Sequence, residues 1–66
     1  MKEKAVITDG IDTNTVIYNF ETETLHHQNQ SFTSKLTVEE YKTMKKATIK
    51  TAKERKHTLT FEVITC

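Results

Sequence analysis

The feature that most constrains the fold is the stretch from Leu36 to His57, LTVEEYKTMKKATIKTAKERKH, which contains neither glycine nor proline. Thr37 and Glu40 have the spacing of a capping box, in which each side chain accepts a hydrogen bond from the other residue's backbone amide. Leu36 and Tyr41 have the spacing of a hydrophobic staple, which sets the angle at which a chain enters a helix. These signals predict a long helix that begins directly after Thr37.

The predicted helix, residues 38–56, has an apolar side and a basic side. At about 100° per residue, the apolar stripe expected to bury consists of Val38, Tyr41, Met44, Thr48, Ile49 and Ala52. Beside this stripe lie four lysines, Lys42, Lys46, Lys50 and Lys53. Residues 35–56 carry eight basic and three acidic side chains, although the whole chain has a net charge of only +1. Positive charge is therefore concentrated on the helix.

Two segments, residues 15–24 and 57–66, alternate apolar and polar side chains, which is typical of strands with one buried face. Residues 4–8 and 31–35 predict two weaker strands. We expect a loop that begins at Asp9-Gly10 to join the first two strands, and a polar turn over residues 26–31 to follow the second. The predicted core contains Val6, Val16, Tyr18, Phe20, Leu36, Val38, Tyr41, Ile49, Leu59, Phe61 and Val63.

One amphipathic helix and several amphipathic strands can close a two-layer domain. We therefore predict that residues 1–66 form a single α+β domain, with a mostly antiparallel sheet of three to four strands and one long amphipathic helix on one face. The element order is β-β-(β)-α-β. A crossover through the helix is expected to place the last strand beside the first and parallel to an earlier strand.

A single helix covers only one face of such a sheet, and the alternation places Ile17 and Ile64 on the other face. A chain of 66 residues buries only about 60% of the surface that it exposes when unfolded, so a second copy is a natural source of added stability. We predict a homodimer through this face as one option. The alternative is two isolated surface isoleucines, which need no special explanation.

Motifs for catalysis, metal binding or cofactor binding are absent from the sequence. One glycine excludes glycine-rich phosphate loops, and one cysteine, Cys66, excludes an internal disulfide. His57 and Cys66 stand at opposite ends of a predicted strand, about 30 Å apart. The adjacent pair His26 and His27 would point to opposite faces of a strand. We therefore expect a protein that is not an enzyme, with no cofactor and no metal.

The N-terminal residues lack the apolar core of a signal peptide, and no run approaches the length of a membrane span. A lone cysteine fits a reducing compartment, so we expect a cytoplasmic protein with no membrane partner. Abundant lysine, threonine and isoleucine without proline or tryptophan is typical of low-GC bacteria and their phages.

The lysines of the helix are the candidate partner-binding residues. We predict a small, non-enzymatic binding or regulatory protein that acts through protein–protein interaction, for example an inhibitor or modulator encoded by a phage or mobile element. The alternative is a nucleic-acid-binding protein whose helix lysines contact phosphates. Specific base reading is less expected, because Arg55 is the only arginine.

Overall fold

The computed structural model describes residues 1–65, and within them it contains one helix packed on a five-stranded antiparallel sheet. The elements in chain order are β1 (Lys2–Thr8), β2 (Thr13–Asn19), β3 (Thr24–His27), β4 (Phe32–Lys35), α1 (Val38–Arg55) and β5 (Thr58–Ile64). The α+β class and the single covering helix are confirmed, with five strands instead of three to four. Cys66 lies outside the described residues, so the predicted distance between His57 and Cys66 stays a prediction.

The strand order is β4-β3-β2-β1-β5, and every neighbouring pair is antiparallel. The last strand lies beside the first, as expected. Because four strands precede α1, the chain enters the helix from one edge of the sheet and leaves it at the other. Among the described residues, β5 pairs only with β1, which runs in the opposite direction. It is parallel to β2 and β4, but it is paired with neither.

The segment predicted as one strand over residues 15–24 contains a turn. Asn19 ends β2, and its side-chain oxygen accepts from the amides of Glu21 and Thr22 at 2.9 and 3.3 Å. Glu23 then adopts a left-handed φ of 53°, and the chain reverses into β3. His26 and His27 consequently belong to a strand, and the polar turn predicted over residues 26–31 is confined to residues 28–31.

The loop between β1 and β2 begins at Asp9-Gly10, as predicted, and spans residues 9–12. The Asp9 carboxylate accepts from the amides of Asp12 and Ile11, both at 2.8 Å, and these hydrogen bonds lower its pKa. Gly10 has a φ of 97°, a conformation that side-chain-bearing residues rarely adopt. The sole glycine of the chain therefore permits this turn.

The capping box at the start of α1 is confirmed. The Thr37 hydroxyl accepts from the Glu40 amide at 3.2 Å, and the Glu40 carboxylate accepts from the Thr37 amide at 3.0 Å. That second hydrogen bond lowers the pKa of Glu40. The helix ends at Arg55, one residue earlier than predicted, and the C-cap residue Lys56, with a left-handed φ of 57°, turns the chain toward β5.

Two tyrosines form the centre of the core between α1 and the sheet. The rings of Tyr18 in β2 and Tyr41 in α1 stack with centroids 4.1 Å apart, and both side chains are fully buried. The Tyr18 hydroxyl donates to the Leu36 carbonyl at 2.6 Å, which ties β2 to the helix entry. Burial raises the pKa of Tyr18. Leu25 completes the fully buried cluster.

Two residues of the predicted core lie elsewhere. Val6 is half-buried on the sheet face away from α1, because the register places Ala5 beside Val16 and Phe61 on the helix side. Val63 is on the helix side but lies at the edge of the sheet and is 56% exposed. The inward positions of β1 are therefore Glu3, Ala5 and Ile7, a set that mixes a charge with small and large apolar residues.

A partly open pocket of about 160 Å³ lies between α1 and the sheet. Its walls are mostly apolar and include Ile7, Val16, Leu25, Met44, Leu59 and Phe61. The residues that line this pocket lack the dispersion contacts that a filled core would provide. The core between helix and sheet is thus tightly packed at the stacked tyrosines and loosely packed beside them.

Candidate partner-binding surface

One lysine of α1 faces the sheet and forms a buried ion pair. Glu3 is only 8% exposed, and its Oε1 accepts from the Tyr41 hydroxyl at 2.6 Å and lies 2.9 Å from Lys45 Nζ. Lys45 Nζ also lies 4.5 Å from the ring centroid of Phe61. Lys45 therefore holds α1 against β1 and β5, and its half-buried charge is paired with the buried carboxylate of Glu3.

Burial of Glu3 works to raise the pKa of its carboxyl group. The hydrogen bonds from Tyr41 and Lys45, together with the positive charge of Lys45, outweigh burial and lower that pKa overall. Burial and the adjacent carboxylate raise the pKa of Tyr41. The role of Glu3 was not predicted, because a charged residue in a short strand is normally assigned to the solvent face. The Glu3-Ala5-Ile7 alternation is the only signal of the inward face of β1.

The four other lysines, Lys42, Lys46, Lys50 and Lys53, are all exposed, and we call them the lysine face. Among residues 1–65, none of them forms an ion pair. They extend about 16 Å along the helix axis, at 1.5 Å per residue. The lysine face is therefore a row of positive charge that the described residues leave without an acidic partner.

The contacts of Lys45 and Met44 show which edge of the sheet lies nearest to the lysines of the lysine face. Met44 packs on the buried cluster over β2 and β3, whereas Lys45 lies over Phe61 of β5. At about 100° per residue, Lys42 and Lys53 lie about 60° and 80° further around the helix from Lys45, away from the sheet-facing Tyr41. Lys42 and Lys53 thus lie on the β5 side of α1, whereas Lys46 and Lys50, about 140° and 180° from Tyr41, point away from the sheet.

The two isoleucines predicted for self-association are both half-buried on the open face of the sheet, the face away from α1. Ile17 is paired with Lys4 and Ile64 with Lys2, so β1 runs between them. Two strand spacings of about 4.8 Å separate them across the sheet. The remainder of this face carries the apolar Val6 and the charged Lys2, Lys4, Lys35 and Glu62, together with seven threonines, Thr8, Thr13, Thr15, Thr24, Thr33, Thr58 and Thr60. Ile17 and Ile64 therefore do not form one continuous apolar patch.

His26 and His27 point to opposite faces of β3, as expected for adjacent residues of a strand. Their ring nitrogens lie 3.0 Å from hydroxyl oxygens on β4, His26 from Thr33 and His27 from Ser34. A serine beside a histidine resembles part of a nucleophile–base arrangement, which also needs a group to orient the base. In the described residues no carboxylate hydrogen-bonds to His27, whose ring stacks on Phe32. Both histidines link β3 to β4.

Residues 1–65 contain no cluster of three or more His, Cys, Asp or Glu side chains suited to holding a metal ion. In the same range, no helix combines the length and the apolar character needed to cross a membrane. The chain matches no protein-family model, no curated protein and no solved structure.

Proposed function

We propose that this protein is a non-enzymatic binding protein that docks an acidic surface of a protein partner on the lysine face. The observation that carries the proposal is the contrast between two kinds of lysine on one helix. Lys45 is paired with Glu3 and packed on an aromatic ring, whereas the four lysines of the lysine face are exposed and without an ion pair in the described residues.

The spacing of the lysine face has an energetic cost that the fold does not require. Lys42, Lys46 and Lys50 follow one another at intervals of four residues, and like charges at this spacing destabilise a helix by about 0.2–0.5 kcal/mol per pair. If every second residue of this series were glutamate, the same spacing would stabilise the helix through Glu–Lys pairs. An acidic partner would offset this repulsion, since complementary charge speeds association and selects partners.

A protein partner is favoured over a nucleic acid. The only arginine, Arg55, lies about 200° around the helix from Lys53, so the lysine face has no guanidinium group for bidentate contact with phosphates or bases. Stacking on single-stranded bases requires exposed aromatic rings. Tyr18 and Tyr41 are instead fully buried against each other. The exposed ring of Phe32 stacks on His27 and lies on β4, at the sheet edge opposite β5.

The test is a fluorescence-anisotropy titration of the protein against three labelled probes, a glutamate-rich peptide, a double-stranded oligonucleotide and a single-stranded oligonucleotide, at several salt concentrations. The variant is Lys42→Glu with Lys46→Glu. The matched control is Lys4→Glu with Lys35→Glu, which changes net charge equally but acts on the open face of the sheet.

We expect the lysine-face variant to weaken peptide binding about ten-fold or more, since two attractions become repulsions of about 1 kcal/mol each. The control should change binding less than about two-fold. Equal losses in both variants would show that only net charge matters and would contradict a defined site. Tight oligonucleotide binding, with a slope of several units in a plot of log affinity against log salt concentration, would show that the lysine face binds nucleic acid.

We further propose that the protein acts in the cytoplasm as a regulator or inhibitor of its partner. The support is the use of a single cysteine in the sequence and the small size of the chain. Its composition favours a source among low-GC bacteria and their phages.

A further inference from the structure

The two edges of the sheet differ in how they are protected from pairing with another strand. β4 has four residues and ends in Lys35. β5 has seven residues, TLTFEVI, with no lysine, arginine, proline or glycine. Natural sheets usually protect long edges with such residues, because a free edge is a template for strand addition. Its one charged residue, Glu62, is paired with Lys4 on the open face, so β5 is the less protected edge.

The register identifies the free backbone groups of β5. The Phe20 amide donates to the Met1 carbonyl at 3.1 Å, which makes Met1 and Phe20 a hydrogen-bonded pair. Hydrogen-bonded pairs recur at every second residue, so the other odd-numbered residues of β1 also bond to β2, as Ala5 does to Val16. The even-numbered residues of β1 must then bond to β5. Their partners there are also even-numbered, so the amides and carbonyls that point outward belong to Leu59, Phe61 and Val63.

The side chains of these three residues share the helix side of the sheet. Val63 is 56% exposed, which leaves an apolar surface beside the free backbone groups. A strand added to β5 would lie about 4.8 Å beyond it. Lys42 and Lys53 lie on this side of α1, so every second side chain of the added strand would point toward these two lysines of the lysine face.

We propose that an extended acidic segment of the partner protein adds to β5 as a sixth strand, antiparallel to it, with acidic side chains at alternate positions pointing toward the lysine face. The proposal rests on the proposed function, because it specifies how the acidic partner binds. Backbone hydrogen bonds to Leu59, Phe61 and Val63 hold the segment, and the lysines select its sequence.

A second copy of this chain fits the edge less well. Pairing β5 with β5 of another copy would bring two lysine faces together on the same side of a continuous sheet. Their like charges would repel, since no acidic residue of the described chain is paired with them. Charge complementarity therefore favours an acidic segment as the occupant.

The experiment titrates the isotope-labelled protein with a synthetic peptide that alternates glutamate with threonine and follows the backbone amides by NMR. A peptide of identical composition, with its glutamates in one block, is the control for sequence pattern. Two further versions carry N-methyl groups, one on every glutamate amide and one on every threonine amide. In antiparallel pairing the glutamate amides point toward β5, and the threonine amides point away from it.

We expect the alternating peptide to shift the amide signals of Leu59, Phe61 and Val63, with affinity at least ten-fold above that of the block peptide. Methylation of the glutamate amides should abolish binding, and methylation of the threonine amides should leave it within two-fold. Equal effects of both methylations, or absence of binding by the alternating peptide, would overturn strand addition. These peptide titrations use the wild-type protein, so their result does not depend on whether a protein variant folds.

A protein variant gives a second readout. Val63→Pro removes one outward amide at a position where an edge strand tolerates proline, and Val63→Thr is its control. Peptide binding that survives Val63→Pro and both methylations, yet is lost in the lysine-face variant, would overturn strand addition and leave the proposed function standing. Self-association that Val63→Pro abolishes would instead assign the edge to a second copy and overturn the acidic segment as its occupant.

Discussion

The two faces of the sheet are made from the same strands but are specified in different ways. On the helix side, Tyr18 stacks on Tyr41, and Glu3 joins the helix through two short contacts. On the open face, Ile17 and Ile64 stand apart among threonines, separated by β1. The helix side depends on individual partners, whereas the open face requires only residues that suit a strand. Substitutions should therefore have unequal effects on the two faces.

The largest difference is expected between two neighbours on β2, Tyr18 and Ile17. Tyr18→Ala removes a fully buried ring and its hydrogen bond to the Leu36 carbonyl, and should cost about 3–5 kcal/mol of unfolding free energy. Ile17→Ala, on the open face, should cost about 1 kcal/mol. Urea denaturation followed by circular dichroism measures both. Equal losses would mean that the open face is covered in solution, and the contrast between the two faces would fail.

An intermediate effect is expected from the buried ion pair. Glu3→Gln keeps an acceptor for Tyr41 but loses the charge that faces Lys45, and should cost about 1–2 kcal/mol at pH 7. Glu62→Gln, on the exposed edge strand, is the matched control and should cost little.

The pKa of Glu3 sets the pH range of this effect. Because folding lowers the pKa of Glu3, its stabilising contribution is complete above about pH 4.5 and is lost as the pH falls through the folded-state value. The difference in unfolding free energy between wild type and Glu3→Gln should therefore shrink from pH 7 to pH 3. A constant difference over that range would show that the charge on Glu3 does not contribute to stability.

The smallest effect on stability is expected from Ile17→Lys or Ile64→Lys, about 1 kcal/mol or less, because the lysine stem can lie on the sheet with its ammonium group in water. Their effect on assembly would be larger if the open face mediates the predicted homodimer. Analytical ultracentrifugation should then show a dimer for the wild type and a monomer for either variant. A monomeric wild type would reject that interface without any mutation.

The helix was the best-predicted part of the fold because its signals are local. Thr37 and Glu40 are three residues apart, and their reciprocal hydrogen bonds need nothing from the rest of the chain. The exposed positions of the lysine face follow from the same periodicity. The role of Glu3 was not predictable in this way, since it depends on Tyr41 and Lys45, about 40 positions further along the chain.

The strand errors have a similar origin. The turn after Asn19 was hidden because the alternation of apolar and polar residues extends to Phe20, one residue past the end of β2, and the polar run ETET that follows gives no sign of a turn. The inward face of β1 was misassigned because Val6 is as apolar as Ile7, and only the pairing with β2 and β5 distinguishes them. The edge position of Val63 follows from strand order, which no local pattern encodes.

The pairing of β1 with β5 also determines the order in which the sheet can assemble. Each of the other three ladders joins strands that are neighbours in the chain, whereas Ala5 and Phe61, 56 positions apart, meet only after α1 has formed and crossed the sheet. Closing so long a loop is slow relative to forming hairpins. We expect β5 to dock last on folding, so the outer edge of β1 stays open until then. Pulsed hydrogen exchange that protects β5 amides before those of β2 and β3 would contradict this order.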